Sequence, residues 1–239
     1  MHRLIFLVVL LAPLTTLAAD RPNILWISCE DISPRLGCYG DPEATTPNLD
    51  RLATEGVRFT QAHHVHGVCA PARTGIITAM YPTSLGCNHM RCKGRLPDHV
   101  KPFPQYLKQA GYYCTNNSKT DYNCHWTTKE VWNESSNNAH WRNRPNDETP
   151  FFAVFNITLC HESGVWERNH PGRTRKLAKE QFHDPAKMTL PAYYPDTPKA
   201  RASMARLYDV ITAMDIEAGR ILKELEEDGL ADDTIVIFW

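Results

Sequence analysis

The sequence predicts an α/β fold with a mainly parallel central sheet flanked by helices. Short, unbroken apolar runs at Asn23–Ser28, Phe151–Thr158 and Thr234–Phe238 carry the β-branched and aromatic residues of strands buried on both faces. Between them lie segments of helical spacing. The clearest runs from Pro198 to Asp228, where Met204, Leu207, Ile211, Met214, Ala218, Ile221 and Leu225 recur on one side. Strands that alternate with helices argue for parallel pairing through crossover connections. No internal repeat interrupts the pattern.

In chain order, Met1-His2-Arg3, the apolar run Leu4–Leu11 and the small residues near Ala18 read as an export signal over residues 1–19. The run is too short to span a bilayer comfortably. The first strand follows Pro22. Thr46 as N-cap and Pro47 at the first helical position then open a helix with Leu49, Leu52 and Ala53 on one face and Gly56 as its stop.

Val57–Ala62 reads as a further strand, Thr74–Met80 as a helix ended by Pro82, and Lys101–Ala110 as a helix stopped by Gly111. Tyr112–Thr115 returns to the sheet. Asn116–Pro150 is polar, rich in Asn and punctuated by Trp126, Trp132 and Trp141, which predicts a long surface excursion. Gly164–Pro198 is irregular and basic. Gly229 stops the long helix, and Thr234–Phe238 reads as a last buried strand. The chain stops at Trp239 directly after that run, which reads as a fragment boundary.

The 239 residues hold 26 Lys plus Arg against 27 Asp plus Glu, so no global field recruits nucleic acid or an anionic membrane. Any anion site has to be local. Eight cysteines are many for an exported chain, where disulfides are permitted. Their connectivity is not deducible, although Cys87 and Cys92 form a candidate local pair across a turn. Without a Cys-x-x-Cys, a zinc ribbon has no support.

Two constellations carry chemistry. Glu30 and Asp31 sit just past the first strand, where open α/β sheets place ligand sites. They read either as hard oxygen ligands for calcium or magnesium, or as a solvated acidic turn. In Cys69-Ala70-Pro71-Ala72-Arg73, Pro71 can begin a helix. That places Cys69 at a helix N-terminus, where the dipole favours anions and lowers a thiol's pKa, with Arg73 as an oxyanion donor one turn on. The alternative is a structural Cys beside a solvent-facing Arg. His63, His64 and His66 precede this motif, and their loop context argues against a zinc site. The sequons at Asn116, Asn133 and Asn156 matter only in a glycosylating host.

At Cys69–Arg73 the chain resembles the sulfatase family, within the alkaline phosphatase-like superfamily, whose signature is Cys-x-Pro-x-Arg. Asn23–Asp31, Leu36–Gly40, Thr46–Asp50, Pro150–Phe152 leading to His161, and Gly229–Phe238 resemble further family segments in the right order. The likeness leans toward bacterial sulfatases of the heparan N-sulfatase-like kind. It implies that residues 20–239 are the N-terminal portion of a catalytic domain that hydrolyses sulfate esters or N-sulfates of glycans or small esters. It implies that a formylglycine-generating enzyme oxidises Cys69, that calcium is held by Glu30, Asp31 and the modified Cys69, and that Arg73 orients the hydrated aldehyde. Lys119 and His161 would contact sulfate or the leaving group.

Asp121, a substituted participant in substrate binding or a loop acid, departs from the family's Lys-x-His, and Glu30 from its commoner Asp. The resemblance also implies a second metal-binding Asp and a Lys beyond Trp239, so residues 1–239 alone are expected to turn over poorly. The product would be secreted or periplasmic, and free of the membrane after signal removal. Alternatives are a phosphodiesterase or phosphonate monoester hydrolase on the same fold, or an inactive remnant.

Overall fold

A computed structural model describes residues 21–239, so the export-signal reading of residues 1–19 lies outside the described residues. Five parallel strands form one sheet: β1 (Asn23–Ser28), β2 (Tyr113–Asn117), β3 (Glu134–Ser135), β4 (Phe151–Asn156) and β5 (Thr234–Phe238). Their order is β3-β2-β4-β1-β5, with Leu25 opposite both Ala153 of β4 and Val236 of β5. β1 and β4 therefore run through the middle. Their side chains alternate between two covered faces, which is why these runs are apolar at every position between their polar ends.

On one face Leu25, Ile27, Phe151, Ala153 and Phe155 pack under the long helix, α6 (Pro198–Glu227), together with Leu49 of α1 (Pro47–Glu55). On the other, Phe152, Val154 and Cys114 meet Ile77 of α2 (Cys69–Thr78), with Phe103 and Leu107 near α3 (Pro104–Gln109) and Val131 of the one-turn α4 (Thr128–Val131) packed around them. A second one-turn helix, α5 (His170–Arg173), lies in the irregular segment before α6. Each fully buried aliphatic or aromatic side chain in these layers contributes about 1.5–3 kcal/mol. The predicted α/β class is what the chain adopts.

Several expectations change in detail. Val57–Ala62 is not a strand: Val57 and Phe59 are 82% and 71% exposed, and the Phe59 carbonyl accepts from the Tyr39 hydroxyl (3.0 Å) rather than from a ladder. Thr46 does not cap α1 with its side chain. Asp215 of α6 does so from a distance, accepting from the Leu49 and Asn48 N–H groups (2.9 and 3.2 Å). The Asn116–Pro150 excursion is anchored rather than superficial, since Trp132 and Trp141 are buried and β3 joins the sheet. β5 is an edge strand, with Ile235 half-exposed. No disulfide joins Cys87 to Cys92 in the structure, and the Cys87 sulfur lies 3.8 Å from that of Cys124. Asn116 is buried and bonded to Ser135 and Asn156, so its sequon is closed to a glycan.

Candidate active site

Parallel strands send their carboxyl ends to one rim of the sheet, and the loops beyond them carry the predicted site. Glu30 and Asp31 follow β1, Lys119 and Asp121 follow β2, and His161 follows β4. Cys69 is the first residue of α2, as Pro71 implied.

Arg73 holds this rim together. It is buried; its Nε donates to the Thr120 carbonyl (2.8 Å), and its Nη2 donates to the Lys119 carbonyl (2.7 Å) and to Asn156 Oδ1 (2.8 Å). Its guanidinium carbon lies 5.7 Å from the Tyr122 ring centre. The predicted oxyanion donor therefore also fixes the backbone that presents Lys119 and Asp121. Asn156, the last residue of β4, completes the knot: Oδ1 also accepts from Ser28 Oγ (3.1 Å), and Nδ2 donates to Asn116 Oδ1 (2.9 Å). Sequence reasoning passed over Asn156 except as a sequon. The available signal was a polar residue closing an otherwise apolar strand.

Lys119 Nζ contacts Glu30 Oε2 at 2.5 Å, with both side chains largely shielded from solvent. Cys69 lies between opposing influences. Burial pushes its thiol up, a hydrogen bond to Asp121 adds to this, and the Lys119 charge pulls the other way. The net shift is upward, contrary to the lowered thiol expected from the helix start. Desolvation and a neighbouring carboxylate outweigh the first-turn N–H groups here.

Asp31 follows Glu30 with a left-handed backbone, φ 57°. Its Oδ2 accepts from the Glu162 N–H (2.8 Å), and Asp31, His161 and Glu162 present ligand atoms within 4.8 Å of one another. His161 Nδ1 also meets Ser163 Oγ at 3.1 Å, and its ring pairs with Glu162. Glu162 was not singled out from the sequence, where it is one acid in a loop. The rim thus gathers the predicted residues into two groups, Cys69, Arg73, Lys119 and Asp121 on the α2 side and Glu30, Asp31 and His161 on the β1 side, with the Lys119–Glu30 ion pair joining them.

Calcium fits what the acidic residues offer. Glu30 Oε1 is buried with no hydrogen-bond partner, and such an oxygen is costly unless a cation or a donor reaches it. Glu30 and Asp31 supply hard oxygens, as calcium prefers. The Cys69 sulfur is a soft donor that suits calcium poorly, whereas an oxygen in its place would suit it.

The sulfatase family model matches residues 22–239. An ulvan-active sulfatase from Formosa agariphila is 38% identical over an alignment of 259 positions, covering 92% of this chain and 43% of that protein. This chain therefore spans less than half the length of that relative. Among solved structures, the putative sulfatase yidJ from Bacteroides fragilis superposes with a TM-score of 0.70 at 20% identity, covering 91% of this chain and 61% of the other. The phosphonate monoester hydrolase of Agrobacterium radiobacter gives 0.62 at 18% identity, covering 91% and 62%. These structural likenesses establish the fold alone. The family model, matching nearly the whole described chain, shows that the chain belongs to the sulfatase family.

Proposed function

We propose that this chain carries the nucleophile side of a sulfatase site that hydrolyses sulfate esters or N-sulfates of sulfated glycans through a formylglycine made from Cys69. The observation that carries this reading is the state of Cys69 itself. It opens α2 beside Lys119 and Asp121, yet burial and Asp121 push its thiol up rather than down. Such a site is unsuited to thiolate catalysis, which needs a depressed pKa. It suits a side chain that is converted before use, and the Cys-x-Pro-x-Arg context matches the signature read by the maturation enzyme.

Formylglycine at position 69 supplies an aldehyde whose hydrate is an oxygen nucleophile toward sulfur. Glu30 and Asp31 would hold calcium, joined by the oxidised side chain of residue 69, and the ion supplies positive charge toward sulfate oxygens. The remaining roles belong to the chain. Arg73 is a positioning residue, since two of its donors lock the Lys119–Thr120 backbone. Lys119 brings an ammonium to the sulfate oxygens and balances Glu30. Asp121, within hydrogen-bonding reach of residue 69, is placed to accept a proton there, taking the place of the family's usual His. His161 lies across the rim, where it can donate a proton to the leaving group.

A sulfated glycan is the substrate class we propose, because the 38% identical relative is an ulvan-active sulfatase. Release beyond the cytoplasm follows from the export-signal reading of the first 19 residues. Among the described residues no helix is long and apolar enough to cross a membrane.

The test is peptide mass spectrometry of Cys69 after co-expression with a formylglycine-generating enzyme. Conversion to the aldehyde or its hydrate is expected; an intact thiol in protein that hydrolyses sulfate esters would sink the mechanism. The fold likeness to a phosphonate monoester hydrolase motivates a paired assay on sulfate and phosphonate esters of one alcohol. The sulfate ester is expected to be the faster substrate.

A further inference from the structure

Cys87 and Cys124 lie 37 residues apart in sequence, yet their sulfurs meet at 3.8 Å. Cys87 is buried in the segment after α2, and Cys124 stands three residues beyond Asp121, partly open to solvent. The two segments are pinned together by more than this contact. Asn123, itself buried, donates from Nδ2 to the carbonyls of Cys87 (2.9 Å) and His89 (2.7 Å), and its N–H donates to Thr74 Oγ1 of α2 (3.1 Å). The Gly94 N–H donates to the Asn123 carbonyl (2.8 Å), and Gly94 pairs with Cys124 in an isolated parallel bridge. A side chain at position 94 would collide with the Cys87 sulfur, so glycine is what lets the sulfur sit there.

We propose that Cys87 and Cys124 are joined by a disulfide in the mature protein, stapling the Lys119–Asp121 loop to the segment that follows the nucleophile helix. The step is a thiol–disulfide exchange with a disulfide-bearing oxidant such as glutathione disulfide. The two Cys thiols lose two protons and two electrons to form one S–S bond, and the oxidant's S–S bond is cleaved to two thiols. The hydrogen bonds that hold the two segments together keep the sulfurs at 3.8 Å, and closure brings them to an S–S bond of about 2 Å.

The bond is a standing cross-link rather than a switch. Burial pushes the Cys124 thiol up to about 12 and the Cys87 thiol upward too, and sulfurs whose thiols have a high pKa leave slowly when an outside thiolate attacks the bond. The competing partner is Cys92, the local pair suggested by sequence alone, which is near enough to both sulfurs to influence them electrostatically.

Peptide mapping by mass spectrometry under non-reducing conditions decides the matter, on protein equilibrated with glutathione disulfide and then alkylated. A cross-linked peptide pair containing Cys87 and Cys124, with Cys92 alkylated, is the expected result. Alkylated Cys87 and Cys124, or a link from either to Cys92, overturns the proposal. The linked form should also show a thermal midpoint higher than the reduced form by on the order of 10 °C, as a loop of this length implies. The Cys92→Ser variant should keep that difference; its loss would point to Cys92 as the true partner. None of these readouts depends on sulfatase activity, so the cross-link and the functional reading stand or fall separately.

Discussion

On the α2 side of the rim, Arg73 donates to two carbonyls and to Asn156, and Asn156 in turn ties β4 to β1 and β2. On the β1 side, Glu30 keeps a buried oxygen without a partner, and Asp31 is exposed beside His161 and Glu162. The first group is held by protein contacts that require no ligand. The second places acidic oxygens close together with less protein to satisfy them, and such an arrangement is relieved by a cation. Preorganisation and ligand dependence are thus divided between two sides of one site, and substitutions on each should fail in different ways.

Cys69 is the position where the largest effect is expected. Cys69→Ala in the active sulfatase should lower turnover by on the order of 10⁴-fold or more, because nucleophilic catalysis has no substitute in the site. The same change should leave the far-ultraviolet circular dichroism spectrum unaltered. Appreciable residual turnover would place the nucleophile elsewhere.

Stability should separate the two sides next. Arg73→Ala leaves the Lys119 and Thr120 carbonyls and Asn156 Oδ1 short of a buried donor, and should cost about 3 kcal/mol in urea unfolding. Asp31→Asn, at an exposed position and keeping both the acceptor for the Glu162 N–H and a residue type that tolerates the left-handed backbone, should stay within about 0.5 kcal/mol in metal-free buffer. Equal costs for the two would erase the proposed division.

How much of this was legible in the sequence follows the same division. Runs that are apolar at every position between their polar ends announced β1 and β4, and a 3.6-residue period announced α6, because burial on two faces or on one stripe leaves a direct trace in residue type. Val57–Ala62 carried enough β-formers to suggest a strand, yet a strand exists only where a neighbour completes its ladder, and here none does. Trp132 and Trp141 were read as surface punctuation because their neighbours are polar. Their burial is decided by tertiary packing against β4, with Trp141 stacked on Phe151 and Trp132 on Phe152.

At the site, the motif located Cys69 and Arg73, and the strand ends located Glu30, Asp31 and His161. The role of Arg73 as a backbone clamp, the Asn156 knot and the upward shift of the Cys69 thiol depend on which groups meet across 40 to 128 residues of chain. Local spacing holds no record of such meetings.

Calcium offers a sharper probe of the acidic side. The protein carrying formylglycine at position 69 should gain about 2.7 kcal/mol of stability at a calcium concentration 100-fold above its dissociation constant. A chelator should remove that gain. Glu30→Gln, which keeps the shape but removes the charge, should abolish most of it, whereas Lys119→Met should not, since the ammonium competes for Glu30 rather than binding the ion. Undiminished calcium stabilisation in Glu30→Gln would move the metal to the Asp31, His161 and Glu162 cluster.

The smallest expected effect tests the balance around the unmodified Cys69 thiol, in metal-free protein made without the maturation enzyme. Asp121 disfavours the thiolate by its hydrogen bond and its negative charge, while Lys119 favours it. Asp121→Asn removes the repulsion, so the thiol should titrate at lower pH and be alkylated faster at any pH below its pKa. Lys119→Met removes the attraction, so alkylation should slow. Burial, the largest influence, is common to both variants and cannot produce opposite signs. Site-resolved mass spectrometry of alkylation against pH separates Cys69 from the other cysteines. If both variants moved the rate in the same direction, Cys69 would be responding to local unfolding rather than to charge, and the α2 side would lose its claim to be the side built without a ligand.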